Sequence, residues 1–74
     1  MREYKNFRIH VTAVPHRKTG WYPRGIVLDP DPNVRLEFER MECRNVLYHT
    51  IDEAEEAAFE LCKHWIDKSF KAIN

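Results

Sequence analysis

The side chains best suited to chemistry lie in one short run, His16-Arg17-Lys18-Thr19-Gly20-Trp21-Tyr22-Pro23-Arg24. It interleaves four side chains able to carry positive charge with two aromatic rings. Cationic groups attract phosphates, and flat rings stack on unpaired bases for about 1 to 3 kcal/mol each. The run therefore points to single-stranded nucleic acid, with Arg17, Lys18, Trp21, Tyr22 and Arg24 as contacts and Arg8 extending the patch. A solvated loop whose Trp21 and Tyr22 cover a sheet edge has the same composition. A basic footprint normally extends over a whole face, and twelve basic residues against twelve acidic leave no net charge. Nucleic-acid binding is accordingly the second of two functional readings.

The remaining reactive types do not converge along the chain. Cys62 and His64 are two apart on a helical pattern and point away from each other. Cys43, Arg44 and His49 match no structural zinc spacing, and His10 and His16 have no acidic neighbour. Cys62 falls beside Trp65 and Ile66, where a thiol behaves as a small buried hydrophobe. Cys43, between Glu42 and Arg44, is the better candidate for a redox-sensitive thiol. Asp29 and Asp31 each precede a proline in a turn, and no glycine-rich phosphate loop is present. The expectation is a protein that is not an enzyme, with no catalytic residues, no metal and no cofactor. Two cysteines are too few for a disulfide framework. Without an apolar leader after the basic start, free thiols in a cytoplasmic protein are the simpler expectation. No apolar run reaches the roughly 18 residues that cross a bilayer.

Position along the chain follows from hydrophobic period. Phe7, Ile9, Val11 and Ala13 alternate with Arg8, His10 and Thr12, which reads as a half-buried strand over about 5–14. Trp21 to Leu28 is a second strand, surest at Ile26, Val27 and Leu28. Pro23, unable to donate to a ladder, belongs on an open edge, at a bulge or before regular pairing begins. Asp29-Pro30-Asp31-Pro32-Asn33 is a turn, because prolines fix φ and Asx side chains bond local backbone. Val34, Leu36 and Phe38 then alternate with charged residues, giving a third strand over about 34–40. Beyond Arg40 the period fades into an extended connection, and the pattern leaves open whether Val46 to Tyr48 adds a short strand. Thr50-Ile51-Asp52-Glu53 fits a capping box, and it opens a helix over about 51–71. Acidic residues crowd the start of that helix and basic residues its end, as the macrodipole favours.

These elements predict an α+β fold: a three-stranded antiparallel meander packed by one long C-terminal helix (β-β-β-α), as a single domain over 1–74. The charge is split along it. Residues 1–28 carry six basic side chains against one acidic, and residues 29–74 six against eleven. Attraction between the two halves accounts for such a split more simply than an external partner does, because no long single-sign block accompanies it.

The helix pattern carries the first functional reading. Ile51, Ala54, Ala58, Leu61, Cys62, Trp65, Ile66, Phe70 and Ile73 cover close to half of its surface, wider than the ~100° stripe that a surface helix needs. Trp65, Ile66, Phe70 and Ile73 are the candidate interaction residues, contacting an unknown protein partner or a second copy in a homodimer.

The order of elements resembles small bacterial domains in which a meander precedes a helix opening Thr-x-x-Glu-Ala-x-x-Ala, here Thr50, Glu53, Ala54 and Ala57 after Tyr48. The segment Cys62-Lys63-His64-Trp65-Ile66-Asp67 resembles the tail of small proteobacterial proteins of unknown function. The layout is also similar to HicB-like antitoxin domains, which neutralise a partner ribonuclease, without their Pro-Gly-Cys-type segment. Double-stranded-RNA-binding domains share the sheet and last helix, but not the acidic start of that helix. None of these resemblances implies a residue role for this chain.

Overall fold

Alternating apolar and polar residues place a sheet and a helix face to face in the computed structural model, which describes residues 1–17 and 20–70. The fold is α+β, with four antiparallel strands rather than the expected three. They are β1 (Arg2–Tyr4), β2 (Phe7–Pro15), β3 (Trp21–Leu28) and β4 (Glu37–Glu42), adjacent in chain order. The helix α1 (Ile51–Ser69) follows. The additional strand comes from the first residues. Lys5 and Asn6 both hold positive φ, 50° and 73°, and turn the chain so that Tyr4 faces Phe7 and Arg2 faces Ile9. Two consecutive left-handed residues form the type of hairpin turn whose twist matches that of its strands.

β4 also departs from expectation. It begins at Glu37, so Val34 and Leu36 precede it and stay exposed, and only Phe38 of the alternating trio packs on the core. A register shift between Val27 and Leu28 lets Leu28 face Glu37 while Val27 faces Glu39, leaving Phe38 as the extra residue of a bulge. The preceding loop is held from elsewhere. The Arg8 guanidinium donates to the carbonyls of Asp29 and Asp31, and the Asp29 and Asp31 carboxylates accept from the amides of Asp31 and Asn33.

Pro23 sits on an inner strand without interrupting it. Trp21 exchanges two backbone bonds with Tyr48, and the Pro23 carbonyl accepts from the Cys43 amide at 3.1 Å. Backbone groups at alternate residues face the same side of a strand. The donor that Pro23 lacks therefore falls in the gap between the end of β4 and Tyr48. Around Tyr48, where the pattern left a further strand open, the chain forms this single bridge.

α1 begins at the capping box. Thr50 Oγ1 accepts from the Glu53 amide at 3.1 Å, and Glu53 Oε1 accepts from the Thr50 amide at 3.2 Å. Its inner stripe, Ala54, Ala58, Cys62 and Ile66, repeats every four residues and is fully buried, with Cys62 and Ile66 packed on Ile9 and Val27. Small side chains bring the helix backbone down onto Gly25. A Cβ there would meet Cys62 Sγ and lie 3.1 Å from the Ala58 carbonyl oxygen. The opposite sheet face carries Arg8, His10, Thr12, Tyr22, Arg24 and Arg40, and no element among the described residues covers it. Among the described residues no helix is long and apolar enough to cross a membrane.

Candidate functional site

Pairing across the fold decides which polar groups remain available. Arg2 bridges to Glu56, Lys5 to Asp67, and Arg24 to Glu42 at 2.8 Å. Each pair joins the basic first half of the chain to the acidic second half, so much of the charge split is satisfied internally. The Lys5 ammonium and the Tyr4 hydroxyl, both bonded to Asp67, hold that carboxyl below its usual range. The Arg24 guanidinium does the same for Glu42, assisted by Arg44.

The basic–aromatic run is dispersed by these contacts. Arg17 is exposed, while Lys18 lies outside the described residues. Trp21 is half-buried and tied by its backbone to Tyr48. Tyr22 lies on the open sheet face under the Arg44 guanidinium, 5.6 Å from the ring centre. Arg24 is paired with Glu42, and Arg8 is bonded to loop carbonyls. The structure thus separates Trp21 from Tyr22 across the strand and engages two of the five described residues of the set as structural ties.

The helix-face set is divided as well. Ile66 is fully buried in the core and Trp65 is half-buried against it. Phe70 is 47% exposed, yet its ring lies within 4.8 Å of Phe7, 5.7 Å of Trp65 and 6.0 Å of Phe38, centre to centre. Ile73 lies outside the described residues. The width of the apolar pattern is therefore explained in large part by a core that uses it, with Phe70 closing one end over the bulged Phe38.

A concave surface forms on the other flank of the helix, where residue patterning alone did not place one. The chain leaving β4 returns to pair Tyr48 with Trp21, and this return stands off from α1. One cavity of about 350 Å³ is lined by Pro23, Cys43, Tyr48, Ala57, Glu60, Leu61 and His64. A second, of about 440 Å³, is lined by Tyr48, Asp52, Glu53, Glu56, Ala57 and Glu60. Tyr48, Ala57 and Glu60 belong to both, so the two form one groove along the first four turns of the helix. Its floor is apolar (Pro23, Tyr48, Ala57, Leu61), and its rim carries four carboxylates and His64. Residues 53, 57, 60 and 64 recur at helical spacing. The sequence signal for this line was its place at the border of the apolar and acidic halves, a border that shows only once Tyr48 faces it.

Cys43 and His64 share the groove, and no hydrogen bond joins the thiol to the imidazole. Both cysteines are free. Burial pushes the Cys62 thiol up to about 11, which suits an inert core residue. Among the described residues no group of three or more His, Cys, Asp or Glu side chains is placed to hold a metal ion. Comparison with known proteins adds no neighbour: no family model, curated protein or solved structure matches the chain.

Proposed function

We propose that this protein is a small binding module that works by contact with another protein, with the groove between α1 and the return through Tyr48 as its contact surface. The observation that carries this reading is the groove itself, two adjoining cavities sharing Tyr48, Ala57 and Glu60. A mostly apolar concavity with a few polar groups at its rim is the usual form of a recognition site. Val46, Leu47 and Ile51 flank it in sequence and are each more than 40% exposed, which enlarges the apolar surface at that end of the molecule. Catalysis is not part of the proposal. The nucleic-acid alternative has less support, since Arg8 and Arg24 already hold structural partners.

The test is selection from a displayed library of short random peptides on the immobilised protein, run in parallel on a Leu61→Lys variant confirmed to be folded by circular dichroism. Enrichment on the wild type that the variant loses is the expected result. Equal enrichment on both, or none on either, would remove the groove as the contact surface. Retention of a single-stranded oligonucleotide that falls steeply with salt would move the function to residues 16–24.

A further inference from the structure

Resting on that reading of the groove, we infer that its occupant is a cationic amphipathic segment, seated by an apolar side chain on Tyr48, Ala57 and Leu61 and held by Lys or Arg at the rim. The inference follows from charge complementarity. Asp52, Glu53, Glu56 and Glu60 line the groove, and among the described residues no Lys or Arg does. Helix electrostatics explains only part of this set. Asp52 and Glu53 lie in the first turn, where the macrodipole favours acids, but that effect fades within a turn. Glu56 and Glu60 lie further along, beyond the reach of that effect. Each has an intramolecular cation, Arg2 and Lys63, that does not line the groove. Their side chains are 63% and 66% exposed, so an incoming cation reaches them without displacing anything buried. Glu60 stands where the two cavities meet, directly beside the apolar floor. A ligand residue on Ala57 and Leu61 therefore places its neighbours one helical turn away against Glu60 and Glu56. An anionic segment would meet four carboxylates there, and a purely polar one would leave the floor wet.

Three synthetic helical peptides of one length test this: one built of Leu and Lys, one of Leu and Glu, and one of Ser and Lys. Each is titrated into the isotopically labelled full chain at low salt, with amide shifts as the readout. The expected result is saturable shifts at Tyr48, Ala57, Glu60 and Leu61 with the Leu/Lys peptide alone. The double variant Glu56→Gln, Glu60→Gln should weaken that binding about tenfold without changing the circular dichroism, both residues being on the exposed face. Equal groove shifts with the Leu/Glu peptide would overturn the cationic assignment and leave the groove as a contact surface. Equal binding of the Ser/Lys peptide would overturn the apolar seat. Shifts confined to other surfaces, or none at all, would overturn both this inference and the groove reading beneath it.

Discussion

At Gly25 the helix lies directly against the sheet. A glycine inside a strand normally costs about 0.5–1 kcal/mol relative to alanine, through backbone entropy. Here the sign should reverse. An added Cβ would collide with Cys62 Sγ and press on the Ala58 carbonyl at 3.1 Å, so Gly25→Ala is expected to destabilise by about 1–3 kcal/mol, the usual cost of overpacking. The midpoint of urea unfolding measures it. The same substitution made on a Cys62→Ala background should cost clearly less, because the sulfur is gone; an unchanged cost would place the clash at Ala58 instead. Cys62 supports a second expectation. Its pKa is raised from 9.0 to about 11 by burial, so the folded chain keeps its proton where the unfolded chain has lost it. The stability this contributes is complete below pH 9 and is lost as pH rises from 9 towards 11. The stability difference between wild type and Cys62→Ala should shrink across that window, and a constant difference would show that the thiol titrates alike in both states.

The elements were legible in proportion to how local their causes are. Thr50 and Glu53 lie three apart, and the reciprocal bonds that define the helix start form between them. Thr50→Ala should cost about 1 kcal/mol, with Thr50→Ser near neutral, in thermal unfolding. β2 was readable because Ile9 and Val11 alternate on one face for the length of the strand. β1 was not, because three residues carry no period and Lys5-Asn6 is not a customary hairpin pair. Val34 and Leu36 misled for the opposite reason: they alternate, but the bulge at Phe38 and the bonds from Arg8 to the loop carbonyls set where pairing starts. The groove was hidden because Tyr48 reaches it through a backbone bridge to Trp21, 27 positions away in a part of the chain without pattern. β1 has its own test. Tyr4 and Lys5 dock it on Asp67, whose depressed pKa means that the tie is intact above about pH 4 and is lost as pH falls through the lowered value. Asp67→Asn should speed hydrogen exchange of the β1 amides at neutral pH and remove part of the acid dependence of that exchange. Exchange rates equal to those of the wild type would show that the turn at Lys5-Asn6 holds the hairpin by itself.

At the scale of the whole molecule, the issue is whether the wide apolar pattern of the helix serves the core or a second chain. A domain of this length has about 4–11 kcal/mol of stability in total. Ile66 is fully buried beside Ile9 and Val27, and truncating such a residue to alanine costs about 2–5 kcal/mol. Ile66→Ala should therefore take the chain close to its unfolding threshold at room temperature, while Ile66→Val costs about 0.5–1.5 kcal/mol. Phe70 separates the two roles, since it is 47% exposed and also packs on Phe7, Phe38 and Trp65. If it only closes the core, Phe70→Ala lowers the unfolding midpoint by the same amount at every protein concentration. If it also binds a second copy, the wild-type midpoint rises with concentration by mass action, and Phe70→Ala abolishes that rise. Three rings already pack on Phe70 within one chain, and the 47% of it left exposed is the surface a second copy would cover. Thermal melts of both proteins over roughly a hundredfold range of concentration would decide it. A concentration-dependent midpoint would return the helix face to the position of an interface and leave the groove as a second surface on the same dimer.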